Sequence, residues 1–189
     1  MQLKRTTLTA LLIVLATLSF ATAAITLTNI TEWHVQSAGT PPIVKVVGTD
    51  VNGTINSNDL VSIYRYIAAD GTNRTKIIIK GYTGDWTNYT SVLQICNKGT
   101  DGHTYTVQLQ FGGFDTSVTT SSYFKYLVLH FNGETMTITS SGATPTTIGS
   151  ATLTPNQCVD VGADVLVAPE APSGSDLVSV YIDVVSTRQ

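Results

Sequence analysis

Hydrophobic and polar positions alternate with a period of two in several segments of this chain. The pattern is clearest in 104–111, where tyrosine, valine, leucine and phenylalanine alternate with threonine and glutamine. Successive side chains of a β-strand point to opposite faces, so this pattern predicts a strand with one buried and one hydrated face. The segments 159–167 and 178–184 repeat the alternation and predict two more strands.

Residues 123–131 are apolar on both faces, which predicts a central strand that is paired on each side. Asn132-Gly133 follows and favours a two-residue hairpin turn, after which 135–139 should return with Met136 and Ile138 facing the core. Further strands are predicted at 43–47, 61–69, 76–80, 93–95 and 151–153.

Residues 50–60 admit two interpretations. Asp50 and Asn52 match the first two ligand positions of a calcium-binding loop of the dockerin type, and 60–67 has apolar residues at helical spacing. However, the segment is about two residues too short for the third ligand and the required glycine, and no second repeat follows. We therefore predict a polar turn that leads into a strand, with a short helix as the alternative.

The N-terminal segment has the pattern of an export signal. Lys4 and Arg5 precede an apolar run at 8–20, and Ala21-Thr22-Ala23 supplies small residues for cleavage. The run is too short to anchor the chain in a bilayer. We predict a signal peptide at 1–23 and an exported mature chain that starts at Ala24 and is not embedded in a membrane.

The mature chain is predicted to begin with an amphipathic strand at 24–35. Its apolar residues alternate with threonine, glutamate and histidine. They are Ile25, Leu27, Trp33 and Val35. A strand at a free chain end can be donated to another molecule. The rest of the chain, 36–189, should form one domain, and we expect an all-β fold: a single two-sheet β-sandwich of jelly-roll or immunoglobulin-like type with a detachable N-terminal strand.

Charge and cysteine content narrow the function classes. Without Lys4 and Arg5 the chain carries 8 basic and 13 acidic residues, a net charge of −5, which argues against a nucleic-acid partner. Cys96 and Cys158, in an exported protein, most simply form one disulfide, and two free buried thiols are the alternative. Four sequons mark candidate N-glycosylation sites at Asn29, Asn52, Asn73 and Asn88.

No pattern in the sequence indicates a catalytic or metal site. His34, His103 and His130 fall on three different elements without a partner at ligand spacing. Asp160 and Asp164 share one strand face, where a hydrated surface explains them better than a cation site. We expect no enzyme activity and no cofactor.

Aromatic residues offer one binding alternative, a platform for sugars. The candidates are Trp33, Trp86, Tyr82 and Tyr89. Trp33 is in phase with the apolar face of its strand and should belong to the core. Trp86 is predicted on a loop at 81–90, which makes it the one candidate that should be exposed.

Three segments together resemble a known family. They are the signal followed directly by a strand, the strand-turn-strand segment 91–109 with Asn97-Lys98-Gly99, and the C-terminal part with Leu153-Thr154-Pro155 followed by alternating valines. In these features the chain resembles the TasA-type biofilm-matrix proteins and the archaeal bundling pilins related to them.

The resemblance implies a jelly-roll subunit that lacks one strand. The N-terminal strand of a neighbouring copy fills the gap, which gives a homopolymeric cell-surface filament for adhesion or biofilm formation. One departure is Asn29, because a glycan on this side of the donor strand would conflict with insertion. The main alternative is a monomeric cell-surface sandwich that binds a glycan or a protein and pairs the strand within its own sheet.

Overall fold

The computed structural model describes residues 40–51, 60–67 and 73–189. The predicted signal peptide and the N-terminal strand, with Ile25, Leu27, Trp33, Val35, His34 and the sequon Asn29, lie outside the described residues, as does Asn52. The proposed domain boundaries therefore stay predictions. All regular secondary structure in the described part of the chain is β-strand, which confirms the all-β prediction.

The described residues form eleven strands. They are β1 (Ile43–Val47), β2 (Val61–Ile67), β3 (Asn73–Ile79), β4 (Trp86–Asn97), β5 (Tyr105–Phe114), β6 (Phe124–Phe131), β7 (Glu134–Thr139), β8 (Gly142–Thr144), β9 (Thr147–Leu153), β10 (Cys158–Val167) and β11 (Val180–Arg188).

The strands form two larger antiparallel sheets and one hairpin. A six-stranded sheet has the order β1-β4-β10-β6-β7-β8, a three-stranded sheet has the order β11-β5-β9, and β2 pairs with β3. Side chains from both larger sheets share one hydrophobic core. A Cβ at Gly149 of β9 would lie 2.2 Å from the ring of Phe131 in β6, so the two sheets face each other closely. This arrangement is a β-sandwich.

Alternation places the core residues as the sequence predicted. In β5, Tyr105, Val107 and Leu109 are buried, and in β7 Met136 and Ile138 are fully buried. β6 pairs with β10 on one side and β7 on the other, as expected for a strand that is apolar on both faces. The turn after it has φ of 50° at Asn132 and 81° at Gly133, as a tight hairpin turn requires.

The disulfide prediction is confirmed. Cys96 of β4 and Cys158 of β10 are directly opposite each other in the six-stranded sheet, with Cα atoms 4.0 Å apart, and their sulfurs are bonded. Residues 61–67 form a strand, so the helical alternative for this segment is wrong.

Several predicted boundaries were wrong. Trp86 does not lie on a loop but is the first residue of β4. The side chains of Thr87 and Tyr89 are buried and alternate with exposed ones, so the strand already begins in the segment that we predicted to be a loop. β11 begins two residues later than predicted and extends to Arg188. The short strand β8 lies in a segment rich in serine, glycine and threonine that we predicted to be a spacer.

Candidate functional site

In the described part of the chain, one side of the sandwich is open between the edges of the two larger sheets. Within the described residues, β1 pairs only with β4, and β11 pairs only with β5. A groove of 560 Å³ lies between β1 and β11. It is lined by Pro41, Ile43, Lys45, Ile182, Asp183, Val184, Val185 and Ser186. We call it the edge groove.

The inward-facing residues of β1 are incompletely covered. Ile43, Lys45 and Val47 are opposite Asn97, Ile95 and Leu93, whose side chains are buried. Val47 nevertheless keeps 48% of its surface exposed. Within the described residues, the inner face of β1 is therefore only partly covered.

β11 also has apolar residues on its inner face. Val180, Ile182 and Val184 are opposite Phe114, Phe111 and Leu109 of β5. All three side chains pack against the core but remain only partly buried. The inner face of this edge strand therefore offers apolar surface that another strand could cover.

The β1 edge carries charge. Lys45 lies on the inner face, where burial lowers the pKa of its amino group, the Arg65 guanidinium lowers it further, and Asp183 across the groove opposes both effects. The Arg65 guanidinium also donates a hydrogen bond to the Lys45 carbonyl. A lysine that points inward from an edge strand discourages pairing with a further strand. A main-chain carbonyl that already accepts a hydrogen bond from a side chain has the same effect.

The predicted aromatic candidates separate into different environments. Tyr89 belongs to the core, its hydroxyl donates to the Lys80 carbonyl, and burial raises the pKa of Tyr89 to about 12. Tyr82 and Trp86 are exposed, and Trp86 stacks with Tyr126 on the outer face of the six-stranded sheet. Tyr126 was not among the predicted candidates, because the sequence indicated only that it lies on a strand that is apolar on both faces.

The acidic residues of β10 have separate hydrogen-bond partners. Asp164 accepts from Asn88 and is 2.8 Å from Nε2 of His130. Asp160 accepts from the Ser91 hydroxyl and, at 3.0 Å, from Gln94 Nε2. Each carboxylate is thus part of its own network on the hydrated face, as the sequence indicated.

Asp50, the first residue of the rejected calcium loop, binds the main chain instead. Its carboxylate accepts from the Ser91 amide at 2.6 Å and from the Thr90 hydroxyl at 3.2 Å. His103 contacts Arg188 near the end of β11. The described ranges contain no group of three or more histidine, cysteine or acidic side chains that could hold a metal ion.

Comparison of the sequence with protein-family models and with curated proteins finds no match. Across residues 40–51, 60–67 and 73–189, no helix is long and apolar enough to cross a membrane.

Proposed function

We propose that this protein is the subunit of an extracellular filament, in which residues 24–35 of one copy pair with β11 of the next copy. The observation that carries the proposal is the edge groove, where two sheet edges meet with partly exposed apolar inner faces. An unpaired edge of this kind is a template for strand addition. The resemblance to TasA-type proteins and bundling pilins agrees with this reading, including a jelly-roll subunit and a role in adhesion or biofilm formation.

β11 is the better acceptor of the two edges. Its inner row contains the uncharged Val180, Ile182 and Val184, of which the last two line the groove. β1 instead places Lys45 inward and has one carbonyl occupied by Arg65. A strand added to β11 does not have to displace the Arg65 guanidinium from a main-chain carbonyl.

The donor segment fits β11 in length and periodicity. β11 has nine residues, and the twelve residues of 24–35 extend to about 40 Å at the rise of a β-strand. Ile25 and Leu27 are two positions apart, as are the apolar inner residues of β11, so the donor can present both side chains to the groove. Burying each of these side chains fully is worth about 1.5–3 kcal/mol.

The position of the donor favours polymerisation. Only 36–42 separates it from β1, and Pro41 in this connection lines the edge groove. Each copy therefore contains both a donor segment and an acceptor edge. Donation from copy to copy is a heterologous contact that does not close, so it extends as a fibre. Because Asn29 is on the apolar side of the donor, we expect it to be unmodified in the filament.

The test uses charge on either face of the donor strand. In the exported full-length protein, the double change Ile25→Asp and Leu27→Asp should abolish filaments in negative-stain micrographs, because it replaces apolar burial with a charge-burial penalty. The matched control, Thr26→Asp and Thr28→Asp, charges the opposite face of the same strand and should leave filaments intact.

Two results would overturn the proposal. One is normal filaments from the Ile25/Leu27 variant. The other is a wild-type protein that stays monomeric in all conditions, which would favour the cell-surface binding module, with the N-terminal strand paired in its own subunit.

A further inference from the structure

The outer face of the six-stranded sheet carries an exposed aromatic pair. Trp86 and Tyr126 lie in register on either side of Leu166 of β10. Their ring planes are within 20° of each other, their centroids are 5.9 Å apart, and the residues are 55% and 41% exposed. The pair therefore offers apolar surface on a face that is otherwise hydrated.

A sequon lies on the same face immediately beside this pair. Asn88 follows Trp86 by two residues in β4, so both side chains point the same way at a separation of about 6.8 Å. Asn88 and Thr90 are exposed, whereas the residue between them, Tyr89, is buried. The acceptor amide and the threonine of Asn88-Tyr89-Thr90 are therefore both at the surface.

We propose that Asn88 carries an N-linked glycan whose first sugar lies on the Trp86–Tyr126 pair. One face of a pyranose ring presents C–H groups, which pack well against flat aromatic rings. A sugar attached to Asn88 reaches back over the residue two positions earlier on the same strand face. Of the four sequons, only that of Asn88 has an aromatic residue at this position, since Leu27, Asp50 and Gly71 precede the other three.

The attachment chemistry uses a lipid-linked oligosaccharide diphosphate as the donor. Nδ2 of Asn88 forms a bond to C1 of the first sugar while the bond between C1 and the diphosphate oxygen breaks. The lipid diphosphate leaves with the bonding electron pair, and Nδ2 loses one proton. No oxidant or reductant is needed.

The surroundings of Asn88 are compatible with this modification. Its amide nitrogen has two hydrogens, of which one donates to Asp164. Asp164 is held in turn by His130 at 2.8 Å. A glycosylated asparagine keeps one N–H, so the bond to Asp164 can persist and fix the orientation of the linkage.

Occupancy is tested by peptide mapping with mass spectrometry. The full chain should carry a glycan at Asn88 when isolated from the cells that make it, and also when secreted from a host that performs N-glycosylation. Thr90→Val should abolish this glycan, and Thr90→Ser, which keeps the sequon, should retain it. An unmodified Asn88 in both preparations would overturn the proposal.

The position of the sugar is tested by its coupling to Trp86. In the wild-type chain, the Asn88 glycan should contribute about 2–4 °C to the difference in melting temperature between protein from the glycosylating host and protein from a non-glycosylating host. In Trp86→Ala the gain should be smaller by this amount, and in Trp86→Phe it should be kept; glycans at the other sequons contribute equally to every variant. An equal gain in melting temperature in wild type and Trp86→Ala would show that the sugar does not lie on the Trp86–Tyr126 pair. The glycan map at Asn88 does not depend on filament assembly, and the melts compare variants that share the same donor segment and edge groove.

Discussion

At the scale of single residues, Asn97 connects the two larger sheets. It is fully buried at the end of β4, and its amide donates to the carbonyls of Leu153 in β9 and His103, both at 3.0 Å. The side-chain oxygen of Asn97 accepts a hydrogen bond from the Gly99 amide at 3.0 Å, which shapes the following turn. One side chain thus satisfies main-chain groups from three parts of the chain.

We expect Asn97→Ala to lower the free energy of unfolding by about 2–4 kcal/mol, because it leaves buried main-chain groups without partners. Urea denaturation of the purified protein measures this loss. Gln94→Ala, which removes an exposed hydrogen bond to Asp160, is the control and should cost less than about 1 kcal/mol. A loss for Asn97→Ala no larger than for the control would contradict the bridging role.

Two exposed carboxylates link stability to acid pH. The Tyr105 hydroxyl, at 2.6 Å, and the His103 amide hold the pKa of Asp101 below its ordinary value of 3.8. The Ser117 hydroxyl and amide do the same for Asp115. A carboxyl whose folded pKa is depressed stabilises the fold above its unfolded pKa, and this contribution is lost as the pH falls through the folded value.

The melting temperature should therefore decline as the pH falls below about 4. The double change Asp101→Asn and Asp115→Asn should make this decline shallower, since the two titrating groups are removed. Thermal melts between about pH 2 and 6 test the expectation. The same slope in wild type and variant would show that these carboxylates do not contribute.

At the scale of strands, sequence patterns predicted what is local. The period-two alternation predicted β5 and the core face of β10, and Asn132-Gly133 predicted the β6–β7 hairpin. Trp86 was placed on a loop because the glycines before it dominated the local signal, although the inward Thr87 and Tyr89 belong to the sheet. Local residue type could not outweigh pairing with a strand more than seventy residues later.

The edge groove and the Trp86–Tyr126 pair could not be predicted for the same reason. Which strands become sheet edges depends on long-range pairing, and β1 and β11 are at opposite ends of the described chain. Trp86 and Tyr126 are brought together only because β10 lies between their strands. The alternation of apolar and polar residues predicts which face of the sheet a side chain lies on, but not which residue lies next to it on the neighbouring strand.

The acceptor strand gives a prediction at this scale. Val184→Asp places a charge in the inner row of β11 and should abolish filaments, because the incoming donor would bury that carboxylate. Thr187→Asp changes an exposed position of the same strand and should leave filaments intact. Circular dichroism checks that both variants stay folded, and filaments from a folded Val184→Asp protein would exclude β11 as the acceptor.

At the scale of the whole molecule, the proposed filament needs two parts of the chain: a donor strand and a sandwich that is incomplete without one. A copy that lacks 24–35 should then be a soluble subunit with an empty edge groove. A synthetic peptide of 24–35 should bind this groove and raise the melting temperature, because a ligand that binds only the folded state stabilises it. At a peptide concentration about a hundred times the dissociation constant, the rise should be about 5–10 °C.

The same peptide with aspartate in place of Ile25 and Leu27 should have no effect, since its side chains cannot enter an apolar row. If both peptides leave the melting temperature unchanged, the groove does not accept this strand, and the filament must assemble by another contact or not at all.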